Sequence, residues 1–149
     1  MLKCIEVIYI VKEIAIKIPS STEFVGPVVT FFQTLFAEKG FEEAIVSNVT
    51  TSLIEAVGNA IVHGNKSDIQ KTINISIQVN KNMLQIEVQD EGNGFDIDAL
   101  PDPLAPENIF EPCGRGIFLI KTFMDDVNFG KNGRGSRLIM RKTFERNIE

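Results

Sequence analysis

Two alternating segments joined by a polar turn restrict this sequence most. Ile73, Ile75, Ile77 and Val79 take every second position of Thr72–Val79, and Leu84, Ile86 and Val88 repeat the period after Asn80–Asn82. A period of two puts these residues on one face of a β-hairpin and leaves the other face polar. A lone two-stranded hairpin is marginal in water, so the apolar face needs a cover. The preceding stretch supplies one. From Phe41 to about Gly64, Ile45, Val49, Leu53, Ala56, Ala60 and Ile61 recur at three- and four-residue spacing, the pattern of an amphipathic helix.

The remaining elements follow from the same reasoning. Ile14, Ile16 and Ile18 alternate with Ala15 and Lys17 and predict a strand ending at Pro19. Cys4 to Val11 also has strand composition, so residues 1–13 are expected to form an extra N-terminal strand, a dimer contact or poorly ordered chain. Ser20, Ser21 and Thr22 are candidate N-caps for a helix to about Lys39, which Gly40 ends. Residues 96–113 carry Pro101, Pro103, Pro106 and Pro112 and read as a long loop or lid. Gly116 to Met124 predicts a helix with Ile117, Ile120 and Met124 as its stripe. Val127–Phe129 and Ser136–Arg141 predict a closing pair of strands. The order β, α, α, β, β, lid, α, β, β describes an α/β (α+β) two-layer sandwich, with helices on one face of a mixed, mostly antiparallel sheet. At 149 residues, one domain over 1–149 is expected.

Composition excludes several functions. Fifteen basic against twenty acidic residues give a net charge of −5, which argues against direct nucleic-acid binding. Cys4 and Cys113 cannot build a disulfide framework, and His63 is the one histidine, so a His/Cys zinc site has too few ligands. Lys3, Glu6, Lys12, Glu13 and Lys17 interrupt the apolar N-terminus before it reaches spanning length. A cytoplasmic protein without a membrane segment is expected.

Four motifs can carry chemistry. Glu55 and Asn59, four apart, share one side of the long helix. A carboxylate there can take a proton and an amide oxygen can ligate Mg²⁺, although the spacing equally suits a solvated helix flank. Asp90-Glu91-Gly92-Asn93-Gly94 follows a strand, where an Asp can accept from an amino group and glycines allow close backbone approach; a plain turn has the same pattern. Gly114-Arg115-Gly116 opens a helix whose free N–H groups can face an anion, or ends a flexible lid. Gly133-Arg134-Gly135-Ser136 precedes the last strand as a hairpin turn. Lys131, Arg134, Arg137, Arg141, Lys142 and Arg146 cluster near the C-terminus, as a solvated stripe or a surface for an acidic partner.

In this order the motifs resemble the GHKL ATPase superfamily. Glu55 to Gly64 is similar to its N box, and Asp90–Gly94, Gly114–Ile117 and Gly133–Ser136 to its three glycine boxes, over about residues 14–143. Within that group the chain most resembles bacterial anti-sigma factor serine kinases of partner-switching systems. The resemblance implies the Bergerat ATP-binding fold, ATP or ADP with Mg²⁺, a sigma factor and a STAS-type anti-anti-sigma protein as partners, and a homodimer. It implies that Asp90 meets the adenine amino group, with Ser136 in the same polar network and Gly92 and Gly94 shaping the pocket. Asn59 would ligate Mg²⁺, and Gly114, Arg115 and Gly116 would face the phosphates. Glu55 would be the general base, and His63 structural or at the rim. The family often carries arginine where Pro112 stands, and Arg115 could supply that charge. A non-catalytic, nucleotide-gated binding module of the same fold is the alternative.

Overall fold

The computed structural model describes residues 13–93, 104–108, 114–133 and 135–145. Of the N-terminal segment expected over residues 1–13, all but residue 13 lies outside them, as does most of the lid expected over 96–113. The described strands are β1 (Ile14–Pro19), β2 (Thr72–Val79), β3 (Met83–Gln89), β4 (Asp126–Asn132) and β5 (Gly135–Thr143). The helices are α1 (Val25–Glu38), α2 (Glu43–Asn59) and α3 (Arg115–Phe123).

The strands form one sheet in the order β1-β2-β3-β5-β4. Among the described residues every pairing is antiparallel, so the expected mixed sheet shows no parallel ladder. The connections explain this. Two helices lie between β1 and β2 and return the chain in the opposite direction, while tight turns join β2 to β3 and β4 to β5. Among the described residues a 3₁₀ turn at Pro106–Asn108 and α3 lie between β3 and β4 in sequence, and β5 lies between those two strands in the sheet.

The alternation sets the layers. Ile73, Ile75, Ile77, Val79, Leu84, Ile86 and Val88 are all buried, as are Leu138 and Met140 of β5. From the helices, Phe32 and Phe36 of α1, Val49, Leu53 and Val57 of α2, and Ile117 and Ile120 of α3 meet them in one core. Fully burying each such side chain contributes about 1.5–3 kcal/mol, which is what ties the helix layer to the sheet. By length and composition alone, the helix Glu43–Gly64 is long and apolar enough to cross a membrane. Its apolar stripe is accounted for by the core.

Element ends differ from the sequence pattern in two places. Gly40 stops α1 at φ +77°, as expected of a left-handed C-terminal glycine. The chain enters α1 through a 3₁₀ turn at Thr22–Phe24, without a side-chain cap. The long helix does not run regularly to Gly64 but widens into a π turn at Ala60–Gly64, closed by Asn65 N–H donating to Ala60 O at 2.8 Å. Lys66 and Ser67 follow in left-handed conformation, at φ 55° and 56°.

The outer face of the sheet is polar and largely neutralises itself. Arg141 donates to Gln85 at 2.8 Å and to Asp126 at 2.6 Å, and Arg137 lies 3.8 Å from Glu87. These contacts support a solvated stripe rather than a free basic surface at Arg137 and Arg141. Arg134 and Arg146 lie outside the described residues.

The corner where α3 meets the sheet depends on Lys142 and Asp125. Lys142 donates to Phe123 O at 2.9 Å, capping the last turn of α3. Asp125 accepts from Thr143 N at 2.6 Å and from its hydroxyl at 2.8 Å. Burial works against the Asp125 charge, but the Thr143 hydrogen bonds and the Lys142 ammonium overcome it and hold the carboxyl below its ordinary range. A carboxyl lowered on folding stabilises the fold above its unfolded value of about 3.9, and this is lost as pH falls through the folded value. Asp125→Asn therefore flattens the acid limb of stability below about pH 4, checked by denaturant unfolding across that range.

Candidate functional site

The inward series of β3 is Leu84, Ile86 and Val88, and its next member is Asp90. Alternation thus delivers a carboxylate to the buried face at the end of the strand, where it is 6% exposed. A buried carboxylate needs donors. Two backbone N–H groups converge on Oδ1, from Gly92 at 2.8 Å and Ser136 at 3.1 Å. Asp90 N–H donates in turn to Ser136 O at 3.0 Å, continuing the β3–β5 ladder by one step.

Three glycines make this arrangement possible. A Cβ at Gly64 would collide with Asp90 Oδ2, one at Gly92 with Gly64 O, and one at Gly135 with Asp90 O. The end of the π turn, the loop after β3 and the start of β5 are therefore in backbone contact around one carboxylate. The Ser136 hydroxyl is buried there and has no hydrogen-bond partner among the described residues. Such an orphan fits a site that a bound group or water completes.

Glu55 and Asn59 sit half-buried on the side of α2 that faces α3. Gly116, in the first turn of α3, packs on them: a Cβ there would overlap Glu55 Oε2 and lie 3.4 Å from Asn59 Nδ2. Gly114 caps the helix at φ +87°, and its carbonyl accepts from Phe118 N–H at 3.0 Å. The N–H groups of the first turn have no place in the intrahelical ladder, and they open beside Glu55 and Asn59. Arg115 is exposed at that mouth.

A cleft of about 30 Å³ joins the two halves, with Asn59, Asp90, Ile117 and Ser136 among its walls. A wider groove of about 670 Å³ lies across Asp90 and Gly135, between Lys71 and Lys131. A third hollow, at Phe41, Ile45 and Phe144, contains none of the motif residues.

The structure thus brings Glu55, Asn59, Gly116, Asp90, Gly92 and Ser136 together, with Gly114 and Arg115 at the edge. Gly94 and Pro112 lie outside the described residues. His63 is exposed, consistent with a rim position. Sequence reasoning passed over Gly64 and Gly135 as site residues. The parity that buries Asp90 could have flagged them, because a buried carboxylate between backbones calls for neighbours without side chains. No cluster of three or more His, Cys, Asp or Glu side chains fit for a metal occurs among the described residues.

Residues 18–142 match the family model described as a histidine kinase-like ATPase domain. The chain is 27% identical over 135 residues to the serine-protein kinase RsbW of Oceanobacillus iheyensis, covering 87% of this chain and 85% of that protein. It is 28% identical over 141 residues to the serine-protein kinase RsbW of Bacillus cereus, covering 91% and 87%. A solved structure of the RsbU and RsbW domains of Rv1364c from Mycobacterium tuberculosis superposes with a TM-score of 0.65. It is 14% identical, spans 88% of this chain and 32% of that one, and shows the shared fold.

The glycines give a contrast that stability measurements can read. Gly58 has nothing within 4 Å of an added Cβ, so Gly58→Ala gains about 0.5–1 kcal/mol of helix propensity. Gly92→Ala forces a Cβ into the Gly64 carbonyl and costs about 1–3 kcal/mol or more. Urea unfolding of the two variants should move in opposite directions.

Proposed function

The chain belongs to the histidine kinase-like ATPase family, and from that membership we propose that it is an ATP-dependent serine/threonine protein kinase of the anti-sigma factor type. Its acceptor would be a STAS-type anti-anti-sigma protein, and its inhibited partner a sigma factor. The partner classes rest on the resemblance of the N box and glycine boxes, and the kinase class also on the similarity to serine-protein kinases. A homodimer in the cytoplasm belongs to the same reading.

One observation supports it most. The cleft between α2, α3 and the sheet has a donor-fed carboxylate and an orphan hydroxyl at one end, and a helix N-terminus beside a carboxylate and an amide at the other. This is a base-reading end and an anion-reading end in one site. Asp90 would accept from the adenine amino group through Oδ2, since the N–H donors from Gly92 and Ser136 converge on Oδ1. The Ser136 hydroxyl would complete its hydrogen bonding toward the same ring. The first-turn amides of α3 would meet the phosphates, with the glycines at 114 and 116 leaving room for close approach. Mg²⁺ supplies charge neutralisation at the phosphates when bound. Asn59 fits as its single protein ligand, because Mg²⁺ in such sites takes most of its ligands from phosphates and water.

Glu55 stands beside that helix start. In the proposed transfer, a serine Oγ of the partner forms the new bond to the γ-phosphorus and the bond to the ADP oxygen breaks. The serine proton passes to a Glu55 carboxylate oxygen. Exposed Arg115 would offer its charge to the transferred group, in the role the family gives to the position of Pro112. The nucleotide-gated binding module is favoured by one feature, the proline at that position.

Two variants separate these roles. Glu55→Ala should retain ATP affinity within about threefold while transfer to the STAS partner falls about 10²–10⁴-fold, read with labelled ATP. Unchanged transfer removes Glu55 as the base, and absent transfer in the parent protein favours the binding module. Asp90→Asn should weaken ATP binding about tenfold or more in calorimetric titration, by replacing one carboxylate acceptor with an amide. Equal affinity removes Asp90 from base recognition.

A further inference from the structure

We infer that Asn65 is a positioning residue for purine recognition, acting through a closed ring of hydrogen bonds that holds the Asp90 turn in place. The inference rests on the proposed nucleotide reading and adds to it a residue to which the sequence motifs assign no role.

Asn65 is 0% exposed, which is uncommon for an amide side chain. Both ends of it are engaged. Its Oδ1 accepts from Glu91 N–H at 2.8 Å, and its Nδ2 donates to Thr72 O at 3.0 Å. Thr72 then donates to Glu91 Oε2, from N–H at 2.5 Å and from the hydroxyl at 3.2 Å. The ring therefore runs from the end of the π turn to the loop after β3, on to the first residue of β2, and back.

Glu91 lies between Asp90 and Gly92. Peptide planarity passes any restraint on its N–H directly to the Asp90 carbonyl carbon. The neighbouring Gly64 packs against Asp90 Oδ2 and the backbone of Gly92. One dipeptide, Gly64-Asn65, thus grips the 90–92 turn twice, with its main chain against the carboxylate and with its side chain on the next amide. None of the ring's hydrogen bonds goes to Glu55, Asn59 or the start of α3. Its effect should accordingly fall on reading of the base and not on reading of the phosphates.

The test compares ATP with purine riboside triphosphate, which lacks the 6-amino group, by calorimetric titration of the full chain. The parent protein should prefer ATP about tenfold or more, the value of one hydrogen bond to a charged acceptor. In Asn65→Ala the preference should fall to within about threefold of unity, while affinity for the analogue changes less than about threefold. Glu91→Ala alters an exposed side chain, opens the ring at Thr72 alone and should give an intermediate ratio; it decides the matter if Asn65→Ala does not fold. A full ATP preference retained in the variants, even with both affinities lowered together, would assign Asn65 a merely structural role and overturn the inference. No preference in the parent protein would instead remove the Asp90 reading, and the positioning role with it.

Discussion

The site depends on a carboxylate buried at the end of a strand. Asp90 occupies a position that alternation reserves for a core residue, and the charge there is tolerable only with donors close at hand. The nearest available donors are main-chain amides, and amides come that close only where side chains are missing. The need for Gly64, Gly92 and Gly135 follows from the one acid. So does the meeting of three separate chain segments in backbone contact.

Much of this fold was legible because its period is strong. Thr72–Val79 appears in the structure as one strand with the bounds that the alternating isoleucines give it, and the β, α, α, β, β, α, β, β order stands among the described residues. The pattern was weaker where backbone conformation decides. The apolar spacing of α2 continues through Ala60 and Ile61, so periodicity could not show that the helix widens there into a π turn. The all-antiparallel sheet was also out of reach, since strand order is set by connections and not by composition. In the candidate site, residues with chemical character were visible: Glu55, Asn59, Asp90 and the glycines of the turns. The role of Asn65, the residue after the first motif's Gly64, was not, because a buried amide linking three segments has no local pattern.

The basic residues of β5 show how contacts change a reading. In sequence, Arg137 and Arg141 share a strand face and suit either a solvated stripe or a surface for an acidic partner. In the sheet, the opposite strands present Glu87, Gln85 and Asp126 to them. Exposed pairs of this kind add about 0–1 kcal/mol each, so they serve solubility and register more than stability.

Sheet order has a consequence for how the site comes into being. The β2–β3 and β4–β5 pairs are hairpins of local contacts and can form early, whereas β1–β2 and β3–β5 join distant parts of the chain. Asp90 belongs to one hairpin and Ser136 to the other. Their hydrogen bonds exist only after the two hairpins have docked, so no half of the chain owns a working pocket. A ligand that fits this cleft selects the fully docked state and stabilises it in proportion to the logarithm of its concentration over Kd. Nucleotide supply and the survival of the folded chain would then be linked quantities, with the seam between β3 and β5 as the place where they meet.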